Sequence, residues 1–68
     1  MPPTKTDQLT MTHSTLAILL GELAGILNSL ERGTGAREVA LSITRLQESM
    51  FWLHEALEIV QKEEDKNV

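Results

Sequence analysis

The run from residue 37 to residue 60 carries the feature that most constrains the fold. Its apolar residues recur at alternating steps of four and three, the heptad spacing of a long helix that packs lengthwise on a partner helix. They are Val39, Ile43, Leu46, Met50, Leu53, Leu57 and Val60. The pattern therefore predicts an all-α protein that is built by helix pairing.

A second apolar stripe precedes it. Its members also repeat at heptad spacing, and they are Leu16, Leu20, Leu23, Leu27 and Leu30. Leu19 and Ile26 widen this stripe beyond the seam of a simple two-stranded pair. A stripe of that width implies that the first helix has more than one neighbour.

The link between the two helices is short. Gly33 suits the left-handed position that ends a helix, and Thr34 can cap the next one. A short link makes the helices antiparallel neighbours, so the expected unit is a two-helix hairpin. The first helix could begin after Asp7 or after Thr12, since both are acceptable N-caps.

These signals divide the chain into three parts. Residues 1–10 hold two prolines and no apolar period, which predicts a flexible N-terminal arm. Residues 11–62 form the hairpin domain, with helix 1 at about 12–32 and helix 2 at about 35–62. Residues 63–68 are charged and lack an apolar period, which predicts a frayed C-terminal tail.

Chain length makes self-association the expected source of stability. A domain of 68 residues rarely gains more than about 3–5 kcal/mol from its own core. The chain has no cysteine, so it has no disulfide to add stability. We therefore expect hairpins to assemble into a homo-oligomeric helical bundle.

Composition argues against several classes of partner. A net charge of −4 and a pI near 5.0 do not suit a protein that binds DNA or RNA duplexes, whose affinity depends on many basic contacts. The most apolar stretch, residues 16–27, is interrupted by Glu22 and is shorter than the roughly 20 residues of a membrane span. We expect no membrane partner, and the cytoplasm is the default location.

Catalytic and metal-binding signals are weak. Ser and Thr are plentiful, but neither His13 nor His54 is placed by the sequence beside one of them with a third orienting group. Two histidines without cysteine do not close a metal site, and His54 with Glu58 is better explained as a surface pair. We predict a non-enzyme with no metal and no cofactor.

Arg37, Thr44 and Arg45 cluster in the first turns of helix 2, where the positive end of the helix dipole favours an anion. Two guanidinium groups and a hydroxyl could hold a pair of phosphates. The structural alternative is that Arg37 pairs with a carboxylate of a neighbouring chain and Arg45 with Glu48 or Glu38. The residues themselves leave both interpretations open.

The aromatic pair Phe51 and Trp52 carries a similar ambiguity. Both residues face sideways from the heptad seam. They either fill a second helix interface, within or between hairpins, or offer a surface on which a base stacks.

Residues 37–57, REVALSITRLQESMFWLHEAL, resemble the second helix of the phage hairpin family that includes anti-CBASS protein two and Thoeris anti-defence protein one. Members of that family form multimers, typically hexamers, and sequester cyclic oligonucleotides or cyclic ADP-ribose isomers without cleaving them. The resemblance implies a phage anti-defence protein that binds such a messenger between subunits, in the host cytoplasm. It carries over the ligand role only to Arg37 and Arg45, and more weakly to Thr44.

Two further hypotheses follow. If the arginines are structural, the ligand site is expected near the start of helix 1, at Thr12, His13 and Thr15. If no nucleotide binds, the chain is a non-catalytic helix-pairing protein that binds or inhibits a host protein through its apolar seam.

Overall fold

A computed structural model describes residues 2–31 and 33–66, and within them the chain forms two helices and no strand. Helix α1 spans Lys5–Ser29 and helix α2 spans Ala36–Lys66. The helices lie side by side and antiparallel, in a layer that measures 53 × 21 × 11 Å. The all-α hairpin predicted from the sequence is therefore confirmed.

The contact between the helices follows the predicted seam. The half-buried residues of α1 recur at heptad spacing through Thr6, Leu9, His13, Leu16, Leu20, Leu23 and Leu27. Those of α2 include Val39, Ile43, Leu46, Met50, Leu53, Leu57, Val60 and Glu64. None of the residues that the structure describes is fully buried, because each helix covers only one side of the other.

Helix α1 begins earlier than the sequence predicted. The expected arm covered residues 1–10 and the expected helix began at about residue 12, whereas the structure starts α1 at Lys5. Thr4 caps it: the Thr4 hydroxyl accepts a hydrogen bond from the Asp7 amide at 3.0 Å, and Asp7 Oδ2 accepts one from the Thr4 amide at 3.3 Å. This reciprocal capping box satisfies two amides that would otherwise lack partners, so residues 5–10 are helical.

Helix α2 also extends further than expected. The predicted boundary was residue 62, but α2 continues to Lys66. Glu64 Oε1 accepts a hydrogen bond from the backbone N–H of Thr6 at 2.9 Å, and Lys66 Nζ lies 3.5 Å from Glu63 Oε1. A carboxylate at the positive end of α1 complements the helix dipole, which ties the last turn of α2 to the first turn of α1. Residues 67 and 68 of the expected frayed tail lie outside the described residues.

The turn differs from the prediction in detail. Helix α1 ends at Ser29, before the expected boundary at about residue 32, and residue 32 itself lies outside the described residues. Gly33 and Gly35 have φ of 82° and 93°, a region that favours glycine. The hydroxyl of Thr34 donates to the carbonyl of Glu31 and does not cap α2.

Helix α1 is long and apolar enough to cross a membrane by length and composition alone, because it continues on both sides of residues 16–27. The core helix of a soluble protein and a signal sequence near an N-terminus satisfy the same criteria. The expectation that this chain has no membrane partner therefore stays a prediction.

The contact between Glu64 and the Thr6 amide can be tested by removing the carboxylate. Glu64→Ala should lower the free energy of unfolding by about 1 kcal/mol. The Thr6 amide loses its hydrogen-bond acceptor, and the positive end of the α1 dipole loses a nearby negative charge. Hydrogen exchange followed by NMR should show faster exchange at Thr6, while Glu63→Ala, the matched control, should leave that amide unchanged. Equal exchange at Thr6 in both variants would contradict the contact.

Candidate functional site

Arg37 lies in the first turn of α2 and extends into solvent. Its side chain is 81% exposed, and its Nη1 lies 3.9 Å from Glu38 Oε1 of the same chain. An ion pair whose charged groups are this far apart and this exposed to solvent contributes little to stability. The guanidinium is therefore available to a ligand or to a neighbouring chain.

Arg45 has the partner that the structural alternative named. Its Nη1 donates to Glu48 Oε2 at 3.1 Å, one turn further along α2. The Arg45 side chain remains 78% exposed. The Thr44 hydroxyl donates to the carbonyl of Ala40 at 3.2 Å, which uses its hydrogen within its own helix.

These three residues do not converge within one hairpin. Arg37 and Thr44 are seven residues apart on one stripe of α2, a separation of about 10 Å along the axis. Arg45 lies about a quarter turn further round the helix. A ligand that touched all three would have to curve around α2, so a compact site needs groups from elsewhere.

Arg45 does line a shallow recess on one broad side of the hairpin. The recess has a volume of about 460 Å³. It is lined by Leu23, Leu41, Ser42, Arg45, Leu46 and Ser49. Leucines supply an apolar floor, and one guanidinium favours an anion. The Ser49 hydroxyl can donate or accept, whereas the Ser42 hydroxyl donates to the carbonyl of Glu38 at 3.1 Å and can only accept.

The sequence patterns that predict a ligand site do not include Ser42 or Ser49. The two serines flank the α2 seam at heptad spacing, four residues before and three after Leu46. Small residues at two successive flanking positions are a sequence signal for a depression beside the seam. That signal could have identified the recess once the antiparallel pairing was assumed.

The alternative set on α1 lies elsewhere. His13 is half-buried on the seam, and its ring centroid is 6.3 Å from that of His54. The Thr12 and Thr15 hydroxyls donate to carbonyls of their own helix, at 2.9 and 3.0 Å. Since His54 is 17 residues from Arg37 on α2, about 25 Å along the axis, one hairpin does not bring the two sets together.

Phe51 and Trp52 are 58% and 64% exposed, and their rings meet edge to face at a centroid distance of 5.3 Å. The possibility that Trp52 is buried within a hairpin was wrong, because the residue lies off the seam. Burial between hairpins and stacking on a base are both compatible with this exposed pair.

The expected surface pair of His54 and Glu58 is present, with Nδ1 and Oε1 3.7 Å apart. Among residues 2–31 and 33–66, no three histidine or carboxylate side chains are grouped closely enough to hold a metal ion. The sequence prediction that the chain binds no metal stays a prediction.

Comparisons with protein-family models, with curated proteins and with solved structures found no match for this chain.

The ion pair of Arg45 with Glu48 should contribute little to stability. An exposed ion pair one turn apart on a helix contributes about 0.2–0.5 kcal/mol, so a double-mutant cycle of Arg45→Ala and Glu48→Ala, measured by chemical denaturation at a concentration at which the wild type is folded, should give a coupling energy of that size. A much larger loss in Arg45→Ala than in Glu48→Ala would show that Arg45 has a structural contact beyond Glu48.

Proposed function

We propose that this chain is a phage anti-defence protein that binds and sequesters a cyclic nucleotide immune messenger without cleaving it. The observation that supports the proposal is the recess, in which Arg45 and two serines border an apolar floor. Phosphates and a planar base need that combination of a cation, hydroxyls and apolar surface. The recess includes Arg45 of the helix that resembles the phage hairpin family.

Self-association is part of the same proposal. No described residue is fully buried, so a single hairpin gains little from burial and needs further copies for stability. The recess is also open to solvent, and a ligand held on one hairpin would be poorly enclosed. We propose a homo-oligomer, with a hexamer as the family resemblance suggests, in which a second subunit completes the ligand pocket.

Arg37 contributes to this pocket only in an assembly. It is separated from Arg45 along and around α2, so its guanidinium would meet a ligand held by another subunit. The proposed ligands are cyclic di- or trinucleotides and cyclic ADP-ribose isomers. The proposed place of action is the host cytoplasm, and neither duplex nucleic acid nor a membrane is involved.

A specific observation supports the second candidate, a non-catalytic helix-pairing protein that binds a host protein. Among residues 2–31 and 33–66, eight large apolar side chains are exposed, and they are distributed over both helices. They are Met11, Ile18, Leu19, Ile26, Leu41, Phe51, Trp52 and Ile59. Such surface marks a protein interface, although further copies of the chain could cover it equally well.

Thermal denaturation with a ligand panel separates the two candidates. A sequestering protein gains stability as RT ln(1 + [L]/Kd), so a cyclic messenger at about 100 times its Kd should add about 2.7 kcal/mol. The panel consists of cyclic dinucleotides, cyclic trinucleotides and cyclic ADP-ribose isomers, with the corresponding linear nucleotides as controls. No shift with any cyclic compound would favour the protein-binding candidate.

Arg37→Ala is the cleaner variant for testing the ligand site, because Arg37 lies outside the recess and its loss should leave the fold unchanged. A charge-assisted bond contributes about 1.5–3 kcal/mol, so affinity should fall roughly tenfold to a hundredfold. Arg37→Lys should recover only part of the lost affinity, because an ammonium group cannot form the two parallel hydrogen bonds of a planar guanidinium.

Calorimetry should be performed on variants that keep the wild-type oligomer by light scattering. Lys62→Ala, which removes a cation near the other end of α2, is the matched control. Unchanged affinity in Arg37→Ala and Arg45→Ala would exclude the arginine site, and Thr12, His13 and Thr15 would then be tested.

A further inference from the structure

Glu22 is an acidic residue in the most apolar part of α1, and no described ion pair neutralises it. The ion pairs among residues 2–31 and 33–66 all join side chains of α2. Glu22 is exposed and directly precedes Leu23, which lines the recess together with Arg45. Glu22 and Arg45 therefore lie at the same height on the two helices.

The side of the hairpin that carries the recess has a self-complementary shape, and we name it the recessed face. On α1, Leu19 and Ile26 lie one turn on either side of Leu23, displaced away from the seam. On α2, Ser42 and Ser49 have the same relation to Leu46. Large side chains thus project from one helix, beside a depression over the other.

We propose that a second copy of the chain docks on the recessed face, related to the first by a two-fold axis parallel to the helices. Rotation about this axis keeps every residue at the same height along the helices. It places α1 of each chain over α2 of its partner. Leu19 and Ile26 then face the recess between Ser42 and Ser49 of the partner subunit. The contact is isologous, because each chain offers the same projection and the same depression.

Charge selects this axis over the alternative. An axis parallel to the helices brings Glu22 opposite Arg45 of the partner subunit, and it does so twice per dimer. A two-fold axis perpendicular to the helices would stack α1 on α1 and α2 on α2, so Glu22 would no longer face Arg45 of the partner subunit. Opposite charges that meet across an interface fix its register, and the parallel axis is the one of the two that brings them together.

The dimensions are sufficient for a stable interface. A face of 53 × 21 Å offers on the order of 1,000 Å² per chain, above the about 800 Å² that each partner buries in a standard interface. The hairpin is 11 Å thick, one helix layer, so two stacked hairpins make a four-helix bundle with helices about 8–10 Å apart.

This inference rests on the self-association in the proposed function but not on its ligand. In the dimer, Leu19, Ile26 and Glu22 of the partner subunit take up the recess and the guanidinium that the proposed function gives to the ligand, so the ligand and this contact compete. Arg45 variants should weaken both assembly and ligand binding. Arg37 lies off the recessed face, and Arg37→Ala should weaken ligand binding alone. Failure of the interface and failure of the ligand site are thereby distinguishable.

Cysteine cross-linking tests the axis directly, because the chain has no cysteine of its own. Glu22→Cys and Arg45→Cys chains are refolded together and oxidised, and a disulfide-linked dimer is expected on non-reducing gels. Each variant oxidised alone should give little of it. Glu55→Cys replaces Glu22→Cys in the control mixture and should not cross-link to Arg45→Cys.

Two results would overturn the proposal. Efficient cross-linking of Glu22→Cys with itself would contradict the parallel axis, which keeps the two copies of residue 22 on diagonally opposite helices. A wild-type chain that stays folded as a 7.6 kDa monomer at micromolar concentration would exclude the dimer. Co-sedimentation of such a monomer with phosphatidylcholine vesicles would assign the recessed face to lipid instead.

Charge reversal gives an independent test in solution. Glu22→Arg and Arg45→Glu should each weaken dimerisation about tenfold or more, as measured by sedimentation equilibrium. The double variant should recover to within about threefold of wild type, because it restores opposite charges across the interface. Glu55→Arg, with the same change of charge, should have no effect. Two weakened single variants without recovery in the double variant would exclude the Glu22–Arg45 pair.

Discussion

A single seam between two helices is the constraint on which the rest of this structure depends. Each helix can cover only one side of the other, so seam residues such as Leu20 and Met50 stay half-buried. Hydrophobic stabilisation is roughly proportional to the apolar area removed from water, and a one-layer hairpin leaves much of that area exposed. Apolar side chains off the seam, among them Ile18 and Trp52, are exposed. Only contact with another molecule can bury them and add the corresponding hydrophobic stabilisation.

The ends of the hairpin show how the chain limits fraying of this thin layer. At the open end, Thr4 and Asp7 cap α1 from within, while Glu64 reaches the Thr6 amide from the other helix. At the closed end, two glycines with positive φ reverse the chain. Backbone groups are therefore satisfied at points where no core covers them, which lets two long helices keep a defined register.

The same geometry explains why the candidate residues do not form an enclosed site. A helix spreads residues by 1.5 Å and about 100° per position, so Arg37 and Arg45 point in different directions. Enclosure then requires a second surface, which one hairpin does not have. In the two proposals, ligand binding and self-association therefore both require a second surface, and both use Arg45.

The sequence by itself determined the helices, their pairing and the identity of most seam residues. Heptad spacing of Val39 to Val60 depends only on helical periodicity, which is a local property. Thr4 and Asp7 also specify the earlier start of α1 locally, through the capping box. This signal was missed because aspartate stands where the usual capping box has glutamate, and because two prolines precede it.

Only the tertiary structure decided what the antiparallel pairing brings together. Thr6 and Glu64 are 58 residues apart, and no local pattern links them, so the helical state of residues 63–66 was not predicted. Ser42, Ser49 and Leu23 become neighbours of Arg45 in one recess for the same reason. Periodicity specifies which face a residue occupies on its own helix, whereas the register between two helices specifies which faces meet.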